Sequence, residues 1–232
     1  MINIIRLQKV NSTNTYAKAL LKSGEPLVPY TVVYAKEQTE GKGRMGRSWE
    51  SSKDDTLCMS LIIPHLCKSG VTLLVALGVH KALRDICPKL QIKWPNDIIC
   101  ESKKLCGILT ESTNGGTVIG IGINVNTENF SYDIADKATS LKMLTGREYD
   151  KEEILREVAT CVFDIIDKHN GELTKEAIEE YLPLCANINR QVSWKEYTGI
   201  ATTVTQEGAL LVKTETGVAE IAFGEVAVSG IY

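Results

Sequence analysis

Two apolar segments, Leu105 to Glu111 and Thr117 to Val125, flank Asn114-Gly115-Gly116. Asn-Gly and Gly-Gly pairs accept the positive backbone angles of a tight hairpin turn, so the segments read as two long antiparallel strands. The second carries Gly120 and Gly122 at alternate positions, followed by Asn124 and Asn126. Alternate residues of a strand share one face. One face of this strand is therefore bare, and a packing partner or a flat ligand could lie on it. Asn124 and Asn126 are expected to point to that same face.

The rest of the chain places this hairpin in a mixed fold. Residues 2–7 alternate loosely as an opening strand. Asn11-Ser12-Thr13-Asn14 offers several N-caps for a helix running to about Lys22. Thr31 to Lys36, Leu57 to Ile63 and Ile92 to Trp94 read as strands. Val71 to Ile86 has helical periodicity and stops before Pro88. Lys151 to Lys168 sets Ile154, Leu155, Val158, Val162, Ile165 and Ile166 on one helical face. A further helix runs from Thr174 to Leu184, interrupted by Pro183. Beyond Asn187 the texture changes to five short strand candidates between Gln191 and Ser229, with turns at Gln206-Glu207-Gly208 and Glu215-Thr216-Gly217. The expected fold is α+β: a mixed sheet flanked by helices, mostly hairpin-linked, over residues 1–186, and a small β-barrel over residues 187–232.

Charge narrows the chemistry. Lys plus Arg is 26 against 29 for Asp plus Glu, a formal net charge of −3. Non-specific nucleic-acid binding is driven by neutralising phosphates, so this balance argues against it. Any cationic chemistry must be local. The seven cysteines form no C-x-x-C pair and are expected as free thiols of a cytoplasmic protein. His65, His80 and His169 form no zinc spacing, and no metal site is expected. No apolar run reaches the roughly 18 residues of a membrane helix.

The cations concentrate in Gly41-Lys42-Gly43-Arg44-Met45-Gly46-Arg47-Ser48-Trp49. Glycines let a backbone fold closely round a ligand, and the three cations suit an anion. The segment lacks Walker A spacing. Its glycines have G-x-G-x-x-G spacing, but an acidic loop follows, where a dinucleotide site needs a helix. A solvated basic loop would show the same composition. Lys93-Trp94-Pro95-Asn96-Asp97 predicts a sharp turn in which Asp97 either caps the chain or orients a cation or magnesium-bound phosphate. Lys104 opens an apolar strand that carries Gly107, which suggests close approach by another group. No nucleophile elbow, Cys–His pair or carboxylate couple stands out. A site of cations, glycines and amides positions ligands and stabilises negative charge; it supplies no nucleophile of its own.

Taken in order, these segments resemble the biotin protein ligase family. Its pattern runs S-T-N, a Gln ahead of G-R-G-R-x-G-R-x-W, K-W-P-N-D, K-L-x-G-I-L-x-E, G-x-G-I-N-x-N and A-T-S-L. This chain has Ser12-Thr13-Asn14, Gln38, Gly41 to Trp49, Lys93 to Asp97, Lys104 to Glu111, Gly120 to Asn126 and Ala138-Thr139-Ser140-Leu141. Each motif is weak alone; together and in order they are specific. Lys42 stands where the family carries Arg, and Ser51 to Cys58 replace its S-P-x-G-x-N-L-Y.

The resemblance implies a class II synthetase-like catalytic domain with a C-terminal Src-homology-3-like barrel. It implies ATP and biotin as substrates with Mg2+, and a biotin carboxyl carrier protein as partner. Biotin's carboxylate would attack the α-phosphate of ATP, and a carrier lysine would then take the biotinyl group. By similarity, Ser12, Thr13, Asn14, Gln38, Lys42, Gly43, Arg44 and Lys104 contact biotin. Arg47, Trp49, Lys104, Asn124 and Asn126 fall on the nucleotide side, and Lys104 and Arg44 are the catalytic pair. Some members carry a preceding DNA-binding domain; Ser12 lies too near the start for one, so no DNA binding is expected. A sheet-edge homodimer is compatible with this reading. A lipoate ligase-like enzyme and a non-catalytic biotin- or nucleotide-binding module are the competing readings.

Overall fold

In the computed structural model, residues 1–50, 55–195 and 197–232 are described. Residues 51–54, within the segment that departs from the family pattern, lie outside the described residues. The chain opens with β1 (Asn3–Val10), α1 (Thr13–Ser23), β2 (Thr31–Gln38) and β3 (Thr56–Ile63). It continues with α2 (Val71–Leu83), β4 (Leu90–Lys93), β5 (Asp97–Cys100), β6 (Lys103–Thr113) and β7 (Gly116–Asn124). Three helices follow, α3 (Leu141–Thr145), α4 (Lys151–Lys168) and α5 (Lys175–Tyr181). The C-terminal strands are β8 (Gln191–Trp194), β9 (Tyr197–Val204), β10 (Leu210–Thr214), β11 (Gly217–Ile221) and β12 (Ala227–Val228).

Strands β1 to β7 form one seven-stranded sheet in the order β1-β2-β3-β7-β6-β5-β4. The β1–β2 pair is parallel and joined through α1; the other neighbours are antiparallel. The predicted hairpin is β6–β7, closed at Thr113↔Gly116.

The period of two along each strand sorts the sheet into two unlike faces. Leu57, Met59, Leu61 and Ile63 of β3, with Ile119, Ile121 and Ile123 of β7, pack into the main core with α2 and α4. Each such buried aliphatic contributes roughly 1.5–3 kcal/mol relative to leaving it in water. Helices α2 and α4 cross closely at Gly78, where a side-chain Cβ would sit 2.8 Å from Val162 Cα. On the other face, Ile62 of β3 and Val118 of β7 meet Ala17 of α1 in a small second cluster. The remaining residues of these two strands on that face are Thr56, Cys58, Ser60, Gly116, Gly120, Gly122 and Asn124. That face is covered by α1 at one end and left open at the other.

Several boundaries differ from the sequence reading. Helix α2 ends at Leu83, not Ile86. Helix α5 ends at Tyr181, and Leu182–Leu184 tightens into a 3-10 turn around Pro183, which lacks the N–H that an α-helix needs. The sharp turn expected over Lys93 to Asp97 falls at Trp94–Asn96, and Asp97 opens a strand that was not anticipated, paired on both sides with β4 and with β6. Helix α3 was not anticipated; Ser140 caps it by accepting from Met143 N at 3.1 Å.

The five strand candidates after Asn187 all form, in an antiparallel sheet of order β11-β10-β9-β8-β12. Among the described residues no ladder joins β11 to β12, so the sheet is not closed into a barrel by hydrogen bonds. It is fastened to the large sheet at β4: Ala186 N donates to Ile92 O at 2.8 Å, Trp94 N to Asn187 Oδ1 at 2.8 Å, and Trp94 Nε1 to Gly208 O at 2.9 Å. No described helix is long and apolar enough to cross a membrane.

Candidate active site

The open half of the α1 face forms a cleft of about 480 Å³, solvent at its mouth included. Its floor follows from strand register. One cross-strand row reads Cys58–Gly122–Gly107 and the next Ser60–Gly120–Leu109. The glycines remove side chains where a ridge would stand. A Cβ at Gly120 would collide with Asn14 Oδ1, and one at Gly122 with the Trp49 ring. One at Gly107 would lie 2.9 Å from Trp49 Cζ3. The bare strip is thus filled by the Asn14 amide and the flat Trp49 indole, two side chains of this same chain.

At the α1 end the lining is neutral and cross-bonded. Gln38 Oε1, at the end of β2, accepts from Thr13 N at 2.8 Å and Thr13 Oγ1 at 3.0 Å. Ser60 Oγ lies within donating distance of Thr13 Oγ1 at 2.8 Å and Asn14 Oδ1 at 2.6 Å. Asn14 Nδ2 donates to Glu111 Oε2 at 2.8 Å, and Lys18 pairs with Glu111 Oε1 at 2.6 Å. Partial burial would raise the Glu111 carboxyl, but the bonds from Lys18 and Asn14 outweigh it and hold the group below its ordinary range. Ser12, Thr13 and Asn14 are buried at the helix start, and the Ser12 hydroxyl makes no capping bond. The side chains of Thr13, Asn14, Gln38 and Ser60 are thus oriented by one another and by Glu111 before any ligand arrives.

The cationic loop closes the other side. Gly43 N donates to Arg47 O at 2.8 Å and Trp49 N to Gly41 O at 2.9 Å, so residues 41–49 fold into a small hairpin. Arg44–Gly46 is a 3-10 turn at its tip, with Met45 and Gly46 at positive φ. The next described element is the strand β3, not the helix that a dinucleotide fingerprint needs. Lys42 Nζ reaches Thr15 Oγ1 at 3.3 Å, and Arg44 Nη1 donates to Asn96 Oδ1 at 3.0 Å. Both cations are held at the cleft rim. Burial lowers the Arg44 pKa, although a guanidinium remains charged at neutral pH.

Lys104 stands beneath this loop. Its Nζ is 2.7 Å from Asp97 Oδ1 and 5.6 Å from the Trp49 ring centre. Its backbone is clamped by the Ala138-Thr139 segment: Lys104 N donates to Lys137 O at 2.7 Å, and Thr139 N to Lys104 O at 2.9 Å. Tyr232 donates its hydroxyl to the other carboxylate oxygen of Asp97 at 2.5 Å.

The structure brings Ser12, Thr13, Asn14, Gln38, Lys42, Gly43, Arg44, Trp49 and Lys104 to one cleft. Arg47 does not line it; its guanidinium pairs with Glu225 at 2.5 Å. Asn124 and Asn126 do not line the cleft. Asn124 Nδ2 donates to Thr139 O at 3.0 Å, and Asn126 exchanges two bonds with the Tyr149 backbone. Asn124 thereby holds the segment that clamps Lys104. Ser60, Asn96 and Tyr232 were missed by sequence reasoning. Ser60 was the one polar residue in an apolar strand, which was the available signal; Tyr232 offered none.

Residues 6–128 match the Biotin/lipoate A/B protein ligase family, and residues 190–229 match the biotin protein ligase C-terminal domain. The bifunctional ligase/repressor BirA of Bacillus subtilis is 32% identical over 94% of this chain and 71% of its own length. The biotin–[acetyl-CoA-carboxylase] ligase of Mycobacterium tuberculosis is 26% identical over 94% of this chain and 86% of its own. The biotin protein ligase of Aquifex aeolicus, solved with biotin and ATP, superposes with a TM-score of 0.85 at 30% identity, covering 98% of this chain and 99% of that one. With family models matching both parts in order and relatives aligned over nearly its whole length, the chain belongs to the biotin protein ligase family.

Proposed function

We propose that this chain activates biotin with ATP as biotinyl-5′-AMP, releasing pyrophosphate, and transfers the biotinyl group to a lysine of a biotin carboxyl carrier protein. The observation that carries this reading is the continuity of one cleft, from the cross-bonded Thr13–Asn14–Gln38–Ser60 end to the Lys104–Arg44 end. A ureido ring needs fixed donors and acceptors without charge, which amides and hydroxyls supply. The carboxylate at the far end of the same ligand would then reach Lys104.

Attack of that carboxylate oxygen on the α-phosphorus breaks the bond to the bridging oxygen, and the electron pair leaves with pyrophosphate. Charge gathers on the non-bridging α-phosphate oxygens as this happens. Lys104, with its backbone clamped on both sides, and Arg44 on the loop are placed to stabilise that charge. Trp49 offers a planar wall beside Lys104 for a base. The loop, closed on the rim, would keep water from the mixed anhydride. In the second step a neutral carrier ε-amine attacks the acyl carbon and AMP departs.

Magnesium fits this site as a companion of ATP. Among the described residues no group of three or more acidic, His or Cys side chains assembles a cage, and Asp97 is already engaged by Lys104 and Tyr232. Magnesium characteristically binds through few carboxylates and substrate phosphates. The division at residues 186/187 belongs to the same reading: the large sheet binds both substrates, and the small one abuts the loop and Asp97. A cytoplasmic location follows from the carrier and ATP as substrates.

The test is pyrophosphate release from ATP with biotin or with lipoate. Release with biotin, and little with lipoate, is expected. Release with lipoate alone would assign the chain to the rival activity, and none with either would make it a binding module.

A further inference from the structure

We propose that Tyr232 is a positioning residue for the Asp97–Lys104 pair, so that the C-terminal segment is a working part of the activation site. This inference rests on the reaction proposed above. The Tyr232 hydroxyl donates to Asp97 Oδ2 at 2.5 Å, while Asp97 Oδ1 lies 2.7 Å from Lys104 Nζ. The carboxylate is therefore hydrogen-bonded by a neutral donor on one oxygen, while the other, buried and without a hydrogen bond among the described residues, is held by a cation through charge alone. The Asp97 side chain is 15% exposed and that of Lys104 29%, so water screens the pair only in part.

Tyr232 is itself held firmly. Lys93 Nζ lies 3.8 Å from the centre of its ring and 3.0 Å from its main-chain oxygen. The preceding Ile231 is buried and donates its N–H to Val228 O at 3.1 Å. Lys93 and Asp97 are the register pair that closes the β4–β5 hairpin, so one turn supplies both the group that seats Tyr232 and the group that Tyr232 holds. Burial, then the negative charge of Asp97, push the phenol far above its ordinary pKa, so it stays a protonated donor at any working pH.

The consequence concerns how Lys104 is shared. A carboxylate fixed by a neutral donor cannot rotate to offer both oxygens to the lysine. The same donor draws charge from the carboxylate and weakens its hold on the ammonium. Lys104 is then free to turn part of its charge to an anion gathering on the substrate. Without the hydroxyl, Asp97 would swing and bind Lys104 through both oxygens, leaving less for the transition state.

The experiment is a kinetic double-mutant cycle on the activation step. It uses Tyr232→Phe, Asp97→Asn and the double variant, with thermal unfolding of each as a control. Tyr232→Phe keeps the ring over Lys93 and removes one oxygen. It should lower kcat about tenfold, the order of loss expected for a misplaced catalytic group. The KM values for biotin and ATP should stay within about twofold, because ground-state binding is not what changes. In the Asp97→Asn background the same change should have no further effect. An unaltered kcat in Tyr232→Phe, or effects that multiply independently with Asp97→Asn, would overturn the proposal. If the unaltered protein releases pyrophosphate normally, such a result leaves the ligase reading intact; if it releases none, both fail.

Discussion

At the α1 end of the cleft, Thr13, Asn14, Gln38 and Ser60 are bonded to one another on the face of a seven-stranded sheet. At the opposite side, Lys42 and Arg44 sit on a loop held to the rim by one hydrogen bond each. The first region is neutral and set by strand register. The second is charged, partly exposed and set by loop folding. Neutral groups ordered in advance recognise a ligand without demanding charge of it, whereas loop cations act where charge develops. Lys104 belongs to both regions, with its backbone fixed by a strand and its charge aimed at the loop side.

Substitutions can separate these roles. The largest effect is expected for Lys104→Ala, which should lower the adenylation rate by about two powers of ten or more, as for loss of a transition-state donor. Stopped-flow or pyrophosphate-release assays measure it, and a rate near wild type would remove Lys104 from its role. Next, Arg44→Gly should let the adenylate escape. Labelling of bystander proteins is then expected to rise several-fold, and no rise would contradict the loop's shielding function.

The neutral end should respond in binding. Ser60→Ala removes one donor from a buried network, at a cost of about 1 kcal/mol or a few-fold in biotin affinity by calorimetry. The adenylation rate at saturating biotin should hardly change. A large fall in that rate with unchanged affinity would break the division between the two regions. Arg47→Gln should do least: the Arg47–Glu225 pair is largely exposed, and such pairs are worth about 0–1 kcal/mol. A tenfold loss of activity there would show that Arg47 turns into the cleft during the reaction.

Much of the site could be read in the linear chain because its residues are local. Ser12 to Asn14 start a helix, Gly41 to Trp49 form one loop, and Lys104 opens one strand. The glycine strip was legible too, but its occupants were not. That Asn14 and Trp49 lie on Gly120, Gly122 and Gly107 depends on three strands in register and on a loop folding back. Asn124 and Asn126 were placed on the ligand side from their alternation with the glycines, but their amides are spent on the Thr139 carbonyl and the Tyr149 backbone. Strand β5 was hidden because its four residues follow Pro95 and Asn96, which signal a turn. The Tyr232–Asp97 bond spans 135 positions, and no local pattern announces a contact of that kind.

The most direct measurement is the mass of a biotin carboxyl carrier domain after incubation with this protein, ATP and biotin. The account predicts a gain of one biotinyl group, confined to a single lysine and dependent on ATP. An unchanged mass, in a mixture where a known ligase modifies the same carrier domain, would contradict it.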